Sequence, residues 1–464
     1  MTWDMLPALL PLLALFVGSV TVLFLPARRA LPFGAWCGLL VIGLIWWPGI
    51  SSEVPAPLVS SGGFAKVCTT LWALIGAATC LLANRCCLNR RLERREFAAL
   101  ILFAVFGMAI LSASTSLVSL FLGLEAMTLA FYVLIAFNRE NPTGAEAGLK
   151  YLLPGFLASA LLSFGIALVY AATGSFDLPE AVFLSAAVAP MSSVALLGWA
   201  LILSAVAFKA SLAPFHLWTP DVYQGAPSPV AGLLASGSKG AVIAALLGGM
   251  PLALLVPMRP LLAGLAALSM IIGTFAALPQ TNVKRMLAYS SVVHMGYLVL
   301  ALLADQQAGI QAGMFYVITY AAATVAAFGL LASMSDSGGE PENYAALDGL
   351  AHRSPWRAGL FTCVLLSLAG FPPLAGFMGK FVLFGAALES GYLWLVILAL
   401  LSSLVSCYYY LRPIIRMFNV ASKEGGGAPV NGGERLVFAL CAAVILIAGT
   451  YPAPFFRLVA NMVP

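Results

Sequence analysis

Apolar runs follow one another along nearly the whole chain, separated by short stretches of Gly, Pro and charge. Runs this long, with polar punctuation on both sides, predict membrane-spanning helices of about 20 residues each. Fourteen can be read, near 5–25, 30–50, 64–83, 97–114, 116–137, 143–171, 190–217, 229–250, 258–279, 286–304, 310–334, 356–388, 391–418 and 435–459. No stretch between them is charged and punctuated enough for a soluble domain. The first run has no basic residue before it, and Arg28 and Arg29 follow it. It therefore reads as a first span and not as a cleaved signal peptide.

Basic residues test the count independently. The connections after odd-numbered spans hold sixteen, among them Arg28, Arg85, Arg90, Arg139, Lys284, Arg285, Arg412 and Lys423. The connections on the other side hold three, Lys66, Arg259 and Arg457. A missed or invented span would scramble this split. The positive-inside rule then predicts fourteen spans with both termini outside the cytoplasm, which for a bacterial inner membrane is the periplasmic face.

Composition agrees. Hydrophobic residues make up 62% of the 464 and charged residues 9%, where a soluble domain carries about a quarter charged. The net charge of +5 follows from the topology, and no patch for nucleic acid stands out. Eight cysteines lie mostly within spans, show no C-x-x-C spacing and are joined by only three histidines. That leaves little ligand material for an iron–sulfur cluster, haem or zinc, and small apolar packing is the better reading of the thiols. There is no dinucleotide fingerprint and no P-loop. Redox chemistry and ATP hydrolysis, where involved, belong to another polypeptide.

Five charges break the apolar pattern: Glu125, Lys150, Lys209, Lys239 and Lys380. Each costs roughly 2.5–3.5 kcal/mol near the bilayer centre unless paired or hydrated, so together they cost on the order of 10 kcal/mol. Their default use is an ion or proton path. Two spans are also interrupted. FKASLAPFHLW (208–218) places Pro214 five residues after Lys209, and LAGFPPLAGFMGK (368–380) places Gly370, Pro372 and Pro373 before Lys380. Proline removes an N–H and clashes with the preceding turn, so helices 7 and 12 are expected to break. Broken helices at corresponding positions of two halves point to an inverted-repeat transporter core. The fold class expected is an all-α polytopic membrane protein of about 14 helices, in a single membrane domain over 1–464. Residues 97–250 and 258–418 would be two inverted five-helix repeats, with 1–83 and 435–459 as flanking helices.

Glu125 has about nine apolar or small residues on either side, too many for snorkelling. Lys209, Lys239 and Lys380 are similarly deep, and Ser236 and Ser238 could hold water near Lys239. Lys150 is shallower. Thr143 and Glu146 resemble a capping box, which puts Lys150 seven residues into its helix, roughly 10 Å along the axis, where snorkelling to the surface is an even alternative. His216 and His294 could relay protons or be satisfied core imidazoles, with the second reading slightly ahead. Lys284 and Arg285 begin a span on the basic side, and topology alone accounts for them.

Four strings carry a specific resemblance: EAGLKYLLPGFLASALLSFGIALVYAATGS (146–175), FKASLAPFHLWTPDVYQGAPSPVAGLLASGSKGA (208–241), NVKRMLAYSSVVHMGYLVLAL (282–302) and LAGFPPLAGFMGKFVLF (368–384). They closely resemble the antiporter-like membrane subunits of respiratory complex I, NADH-quinone oxidoreductase. TPDVYQGAP stands where the two larger members carry an LPDAH-type loop. The resemblance covers roughly residues 97 to 420. It implies that Glu125 is the fifth-helix glutamate that pairs with the seventh-helix Lys209, that Lys239 is the central lysine and Lys380 the exit lysine. It also implies that Lys150 is a retained sixth-helix lysine and that His216 lies between the first two lysines. Pro154 and Ser238 depart from the pattern, where an aliphatic and an apolar residue are more usual.

The resemblance further implies that NADH, FMN, iron–sulfur clusters and quinone sit in partner subunits, with no cofactor in this chain. The partners would be the other complex I membrane subunits, related antiporter-like ones included, and the lipid bilayer. An apolar surrounding disfavours a charged amine and a nearby carboxylate favours it, so separating Glu125 from Lys209 would release a proton from Lys209. That proton would pass by water and His216 to Lys239, then to Lys380 and the far side, driven by quinone reduction elsewhere. Two other classes share the charges: a subunit of a multi-chain sodium/proton antiporter, and a structural membrane anchor that pumps nothing.

Overall fold

The computed structural model describes residues 6–47, 58–138, 140–187, 191–249, 256–335, 340–419 and 430–460. Arg139 and Lys423, counted above on the basic side, lie outside them. Helix fills each of the fourteen predicted runs. The first six are α1 (Leu6–Thr21), α2 (Ala27–Ile45), α3 (Gly63–Asn89), α4 (Arg94–Ser112), α5 (Leu117–Ile135) and α6 (Pro142–Thr173). A short helix outside the predicted runs, α7 (Leu178–Ala187), precedes the seventh, which is split into α8 (Ser193–Ala210) and α9 (Trp218–Gly225). The eighth is α10 (Ser228–Leu233) and α11 (Lys239–Gly249), joined by a π turn. Then come α12 (Arg259–Ala277), α13 (Val283–Leu303), α14 (Gln306–Ser333) and a single turn, α15 (Leu350–Arg353). The twelfth is split into α16 (Pro355–Ala369) and α17 (Ala375–Glu389), followed by α18 (Leu393–Phe418), α19 (Gly432–Thr450) and α20 (Ala453–Ala460). Among the described residues, twelve helices are long and apolar enough to cross a membrane by themselves.

The connections sort onto two faces, as alternating spans require. On one face the turn after α3 meets the connection between α14 and α15, through Arg90 and Glu340. There too α9 meets α6 and α13 through Asp221. On the other, Leu117 N donates to Phe176 O and Asp305 N to Ser390 Oγ. The first of these is the face with most of the arginines and lysines, called the basic face below.

Local signals set the helix ends. Asn141 caps α6 by accepting from Thr143 N, with Pro142 in the first turn. The capping box expected from Thr143 and Glu146 therefore does not form, and Glu146 pairs instead with Lys150. Gly174, at φ 74°, ends α6 in the left-handed conformation that a residue without Cβ adopts freely. In the interior, α4 and α5 meet backbone to backbone. A Cβ at Gly123 would lie 2.5 Å from Leu111 N, the close approach that small residues give membrane helices.

Both predicted breaks are present. α8 stops at Ala210, Ser211 turns left-handed at φ 61°, and helix resumes at Trp218. α16 stops at Ala369, Gly370 turns at φ 93°, and helix resumes at Ala375. The freed backbone groups find partners. Trp218 Nε1 donates to Phe208 O, Ala213 N donates to Ser269 Oγ, and Lys380 Nζ donates to Ala369 O. This is what irregular backbone at membrane depth requires. A third irregularity has no counterpart in the sequence reading. The π turn Leu234–Ser238 sits immediately before Lys239.

Candidate functional site

Lys209 lies on the last turn of α8, 2% exposed. Its Nζ donates to Thr128 Oγ1 at 3.0 Å, with the rings of Tyr132, Tyr151 and Phe208 around it at 5.7–5.8 Å. Glu125 stands one turn earlier on α5 and, half-buried, accepts from Ser159 Oγ of α6 at 2.5 Å. The two charges share one helix neighbourhood but make no direct ion pair, contrary to the expected contact. Glu125 has a hydroxyl partner, and Lys209 has one of its own.

His216 lies within the first break, buried, with Nδ1 meeting no hydrogen-bonding partner among the described residues. A buried imidazole nitrogen without a protein partner is a place for water. Lys239 begins α11 after the π turn and is fully buried. Its Nζ donates to Ser291 Oγ at 2.8 Å and stands 5.0 Å from the Tyr223 ring. Ser236 Oγ donates to Gly232 O of its own helix.

Beyond Lys239, α13 presents Ser290, Ser291, His294 and Tyr297 at helical spacing. His294 is held by two tyrosines, Nδ1 at 2.6 Å from Tyr316 Oη and Nε2 at 3.0 Å from Tyr410 Oη. Tyr410 also bonds Ser290, and Tyr297 bonds Ser402 at 2.6 Å. Lys380 stands over the Tyr297 ring at 5.5 Å and donates to Ala369 O at 2.7 Å and Ser403 Oγ at 2.8 Å. A chain of hydroxyl and imidazole groups therefore lies between Lys239 and Lys380. A cavity of about 810 Å³, lined by Lys380, Gln311, Phe377, Phe381, Glu389 and Ser403, adjoins the last lysine. A second, of about 440 Å³, lies between Lys150 and the first break, against Pro214 and Trp218.

Lys150 is different. Its side chain is 46% exposed and bound by Glu146 at 2.7 Å and Asp221 at 2.8 Å. It takes the snorkelled alternative. Asp221 joins it to Arg285, 2.6 Å away on α13. Lys284, attributed above to topology alone, is buried and ion-paired with Glu340. Asp221, Ser291 and the tyrosines around His294 were not singled out by the sequence, although the polar stripe in YSSVVHMGY (289–297) was there to read.

The signature described as "NADH:quinone oxidoreductase/Mrp antiporter, TM" matches residues 114–406. The NADH-quinone oxidoreductase subunit N of Syntrophotalea carbinolica is 71% identical over all of both chains. The chain belongs to the subunit N family of NADH-quinone oxidoreductase. A chain of the respiratory complex I from Thermus thermophilus superposes at TM-score 0.84 with 35% identity, over 97% of this chain and 99% of that one. One from a membrane-bound sulfane sulfur reductase, an archaeal respiratory membrane complex, superposes at 0.86 with 27% identity, over 99% and 96%. In this subunit N family member the breaks, Lys209, Lys239, Lys380 and the tyrosine-held histidine all fall within the matched region.

Proposed function

We propose that this chain carries protons across the membrane along Lys209, His216, Lys239 and Lys380, with Glu125 biasing the first transfer, as a subunit of complex I. One observation carries the reading: the partners of five lysines divide into two kinds. Lys209, Lys239 and Lys380 bond only neutral oxygens, those of Thr128, Ser291, Ala369 and Ser403. Lys150 and Lys284 bond carboxylates. An ammonium in an apolar place without a counter-ion is poorly stabilised and gives up its proton readily, whereas one beside a carboxylate keeps it. The first three are suited to carrying protons. The other two are suited to holding structure, and Lys150, at the basic face, to attracting a proton towards the first break.

The route runs from Lys209 past the unpartnered Nδ1 of His216, by water, to Lys239. It then follows Ser291, His294 and its tyrosines to Lys380 and out through the cavity beside Gln311 and Glu389. A carboxylate moved towards Lys209 would favour its charged form, and one moved away would favour release. Glu125, one turn along α5 from the Thr128 that now holds the amine, is placed to do this. Residues 97–250 and 258–418 form the two repeats, each with its own break, and the basic face is cytoplasmic, which puts both termini in the periplasm. NADH, FMN, the iron–sulfur clusters and quinone are carried by partner subunits, and this chain contributes no redox centre.

The test is quinone-linked proton uptake in membrane vesicles, at equal complex content, with Lys239→Ala. Loss of pumping is expected. Wild-type pumping would leave the structural-anchor reading, and uptake that follows sodium and ignores a protonophore would leave the antiporter one.

A further inference from the structure

The connection between α14 and α15 carries a carboxylate that the proton path does not use. Glu340 is outside the spans, yet its side chain is fully buried. It accepts from Ser228 N at 3.1 Å and Ser228 Oγ at 2.5 Å, lies 3.4 Å from Arg90 Nη2, and is ion-paired with Lys284. Lys284 Nζ also donates to Ala226 O at 3.1 Å. Around it, the segment is stitched to the start of α13. Val283 N donates to Glu342 O and Tyr344 N to Thr281 O, while the Glu342 carboxylate accepts from Gln224 and Asn282. One further titratable group faces Glu340, the Cys86 thiol, 3.9 Å away.

Glu340 therefore binds the first residue of the span that carries Lys239 and the second residue of the helix that carries Ser291. We propose that Glu340 is a positioning residue for proton transfer: a fixed negative charge that clamps the Lys239 helix to α13 and so sets the Lys239–Ser291 contact. The inference rests on Lys239 being a proton carrier. Burial pushes the Glu340 carboxyl up, but Lys284 and Arg90 more than offset it and hold it below the ordinary carboxylate range. Glu340 is thus ionised at neutral pH and is a clamp, not a carrier. Glu340→Gln keeps the shape and leaves Lys284 and Arg90 without their counter-charge.

The experiment uses the whole complex in its membrane, with Glu340→Gln, Glu340→Asp, Ser291→Ala, Lys239→Ala and the Glu340→Gln/Ser291→Ala pair. Proton uptake per quinone reduced is measured across pH at equal complex content. Glu340→Gln is expected to assemble, to lose pumping several-fold with a displaced pH profile, and to be partly rescued by Glu340→Asp. Because it acts through Ser291, the pair should lose little more than Ser291→Ala alone, since residues acting through one contact are not additive. Losses that multiply, a wild-type pH profile, or failure of Glu340→Gln and Glu340→Asp alike to assemble would each overturn the proposal. Pumping by Lys239→Ala would instead remove the reading beneath it. A dead Lys239→Ala beside an unaltered Glu340→Gln would remove this inference alone.

Discussion

Lys380 Nζ sits 2.7 Å from the carbonyl oxygen of Ala369, the last residue of the half-helix that ends at the second break. A helix end carries about half a negative charge on its free carbonyls, worth roughly 0.3–1 kcal/mol to a nearby cation and up to about 2 when partly buried. The break thus gives the lysine a partner weaker than a carboxylate, able to hold a proton briefly without trapping it.

Two substitutions test that relationship. Lys380→Ala should abolish quinone-linked proton uptake in vesicles while the complex still assembles. Gly370→Ala places a Cβ 3.1 Å from Lys380 Nζ at a positive φ that costs about 1–2 kcal/mol in an L-residue. It should lower pumping without removing any charge, and unaltered pumping would show that the carbonyl does not matter.

Glu125 and Ser159 give a second prediction. Since the carboxylate bonds the serine and not Lys209, Glu125→Gln should preserve assembly while slowing proton uptake, because it removes the movable charge. Ser159→Ala frees the carboxylate for Lys209 and should alter the pH dependence of uptake. Identical profiles for wild type and Ser159→Ala would count against Glu125 as a movable partner.

Lys150 and Lys209 should differ. Exposed ion pairs contribute little, so Lys150→Ala is expected to leave most pumping and all assembly intact. Lys209→Ala should remove pumping. Equal losses in the two variants would place Lys150 on the main route.

The tyrosines around His294 predict a graded effect. Tyr316→Phe removes the hydrogen bond to His294 Nδ1, and Tyr410→Phe removes those to His294 Nε2 and Ser290, each worth about 1 kcal/mol, while both keep the ring. Each is expected to slow proton uptake, and the double change to slow it more. Full activity in the double variant would take His294 off the path.

Topology is checked by labelling. Glu93→Cys, in the exposed turn between α3 and α4, should react with a membrane-impermeant thiol reagent only in inside-out vesicles. Asp177→Cys, between α6 and α7, should react only in intact cells with a permeable outer membrane. The opposite pattern would invert the protein in its membrane.

Much of this was legible in the sequence, for identifiable reasons. Each span needs its own length of apolar residues, so helix fills all fourteen runs, the seventh, eighth and twelfth among those in two pieces. Pro214 close after Lys209, and Gly370 with Pro372 and Pro373 before Lys380, marked the breaks, whereas Pro32, Pro154 and Pro413 each sit inside a continuous helix. Lys209, Lys239 and Lys380 stood out because apolar flanks cannot hide a charge. What stayed hidden depends on neighbours distant in the chain. Nothing near Glu125 says that Ser159 will reach its carboxylate. Nothing in the polar stretch around Glu340 says that it will be buried against Lys284, 56 residues earlier in the numbering. Lys150 could be read either way because its depth hung on whether Asp221 came within reach.

The π turn before Lys239 has a geometric consequence. A wide turn holds one residue more than a regular one, and that residue turns everything after it by about 100° about the helix axis. α10 and α11 therefore share a direction but not a phase. Deleting Gly237 would let the backbone relax into uninterrupted i to i+4 bonding, and the result would be a more regular helix in a worse place. Lys239 would swing off Ser291 into the apolar packing beside it, so the irregularity works as a spacer that aims one amine.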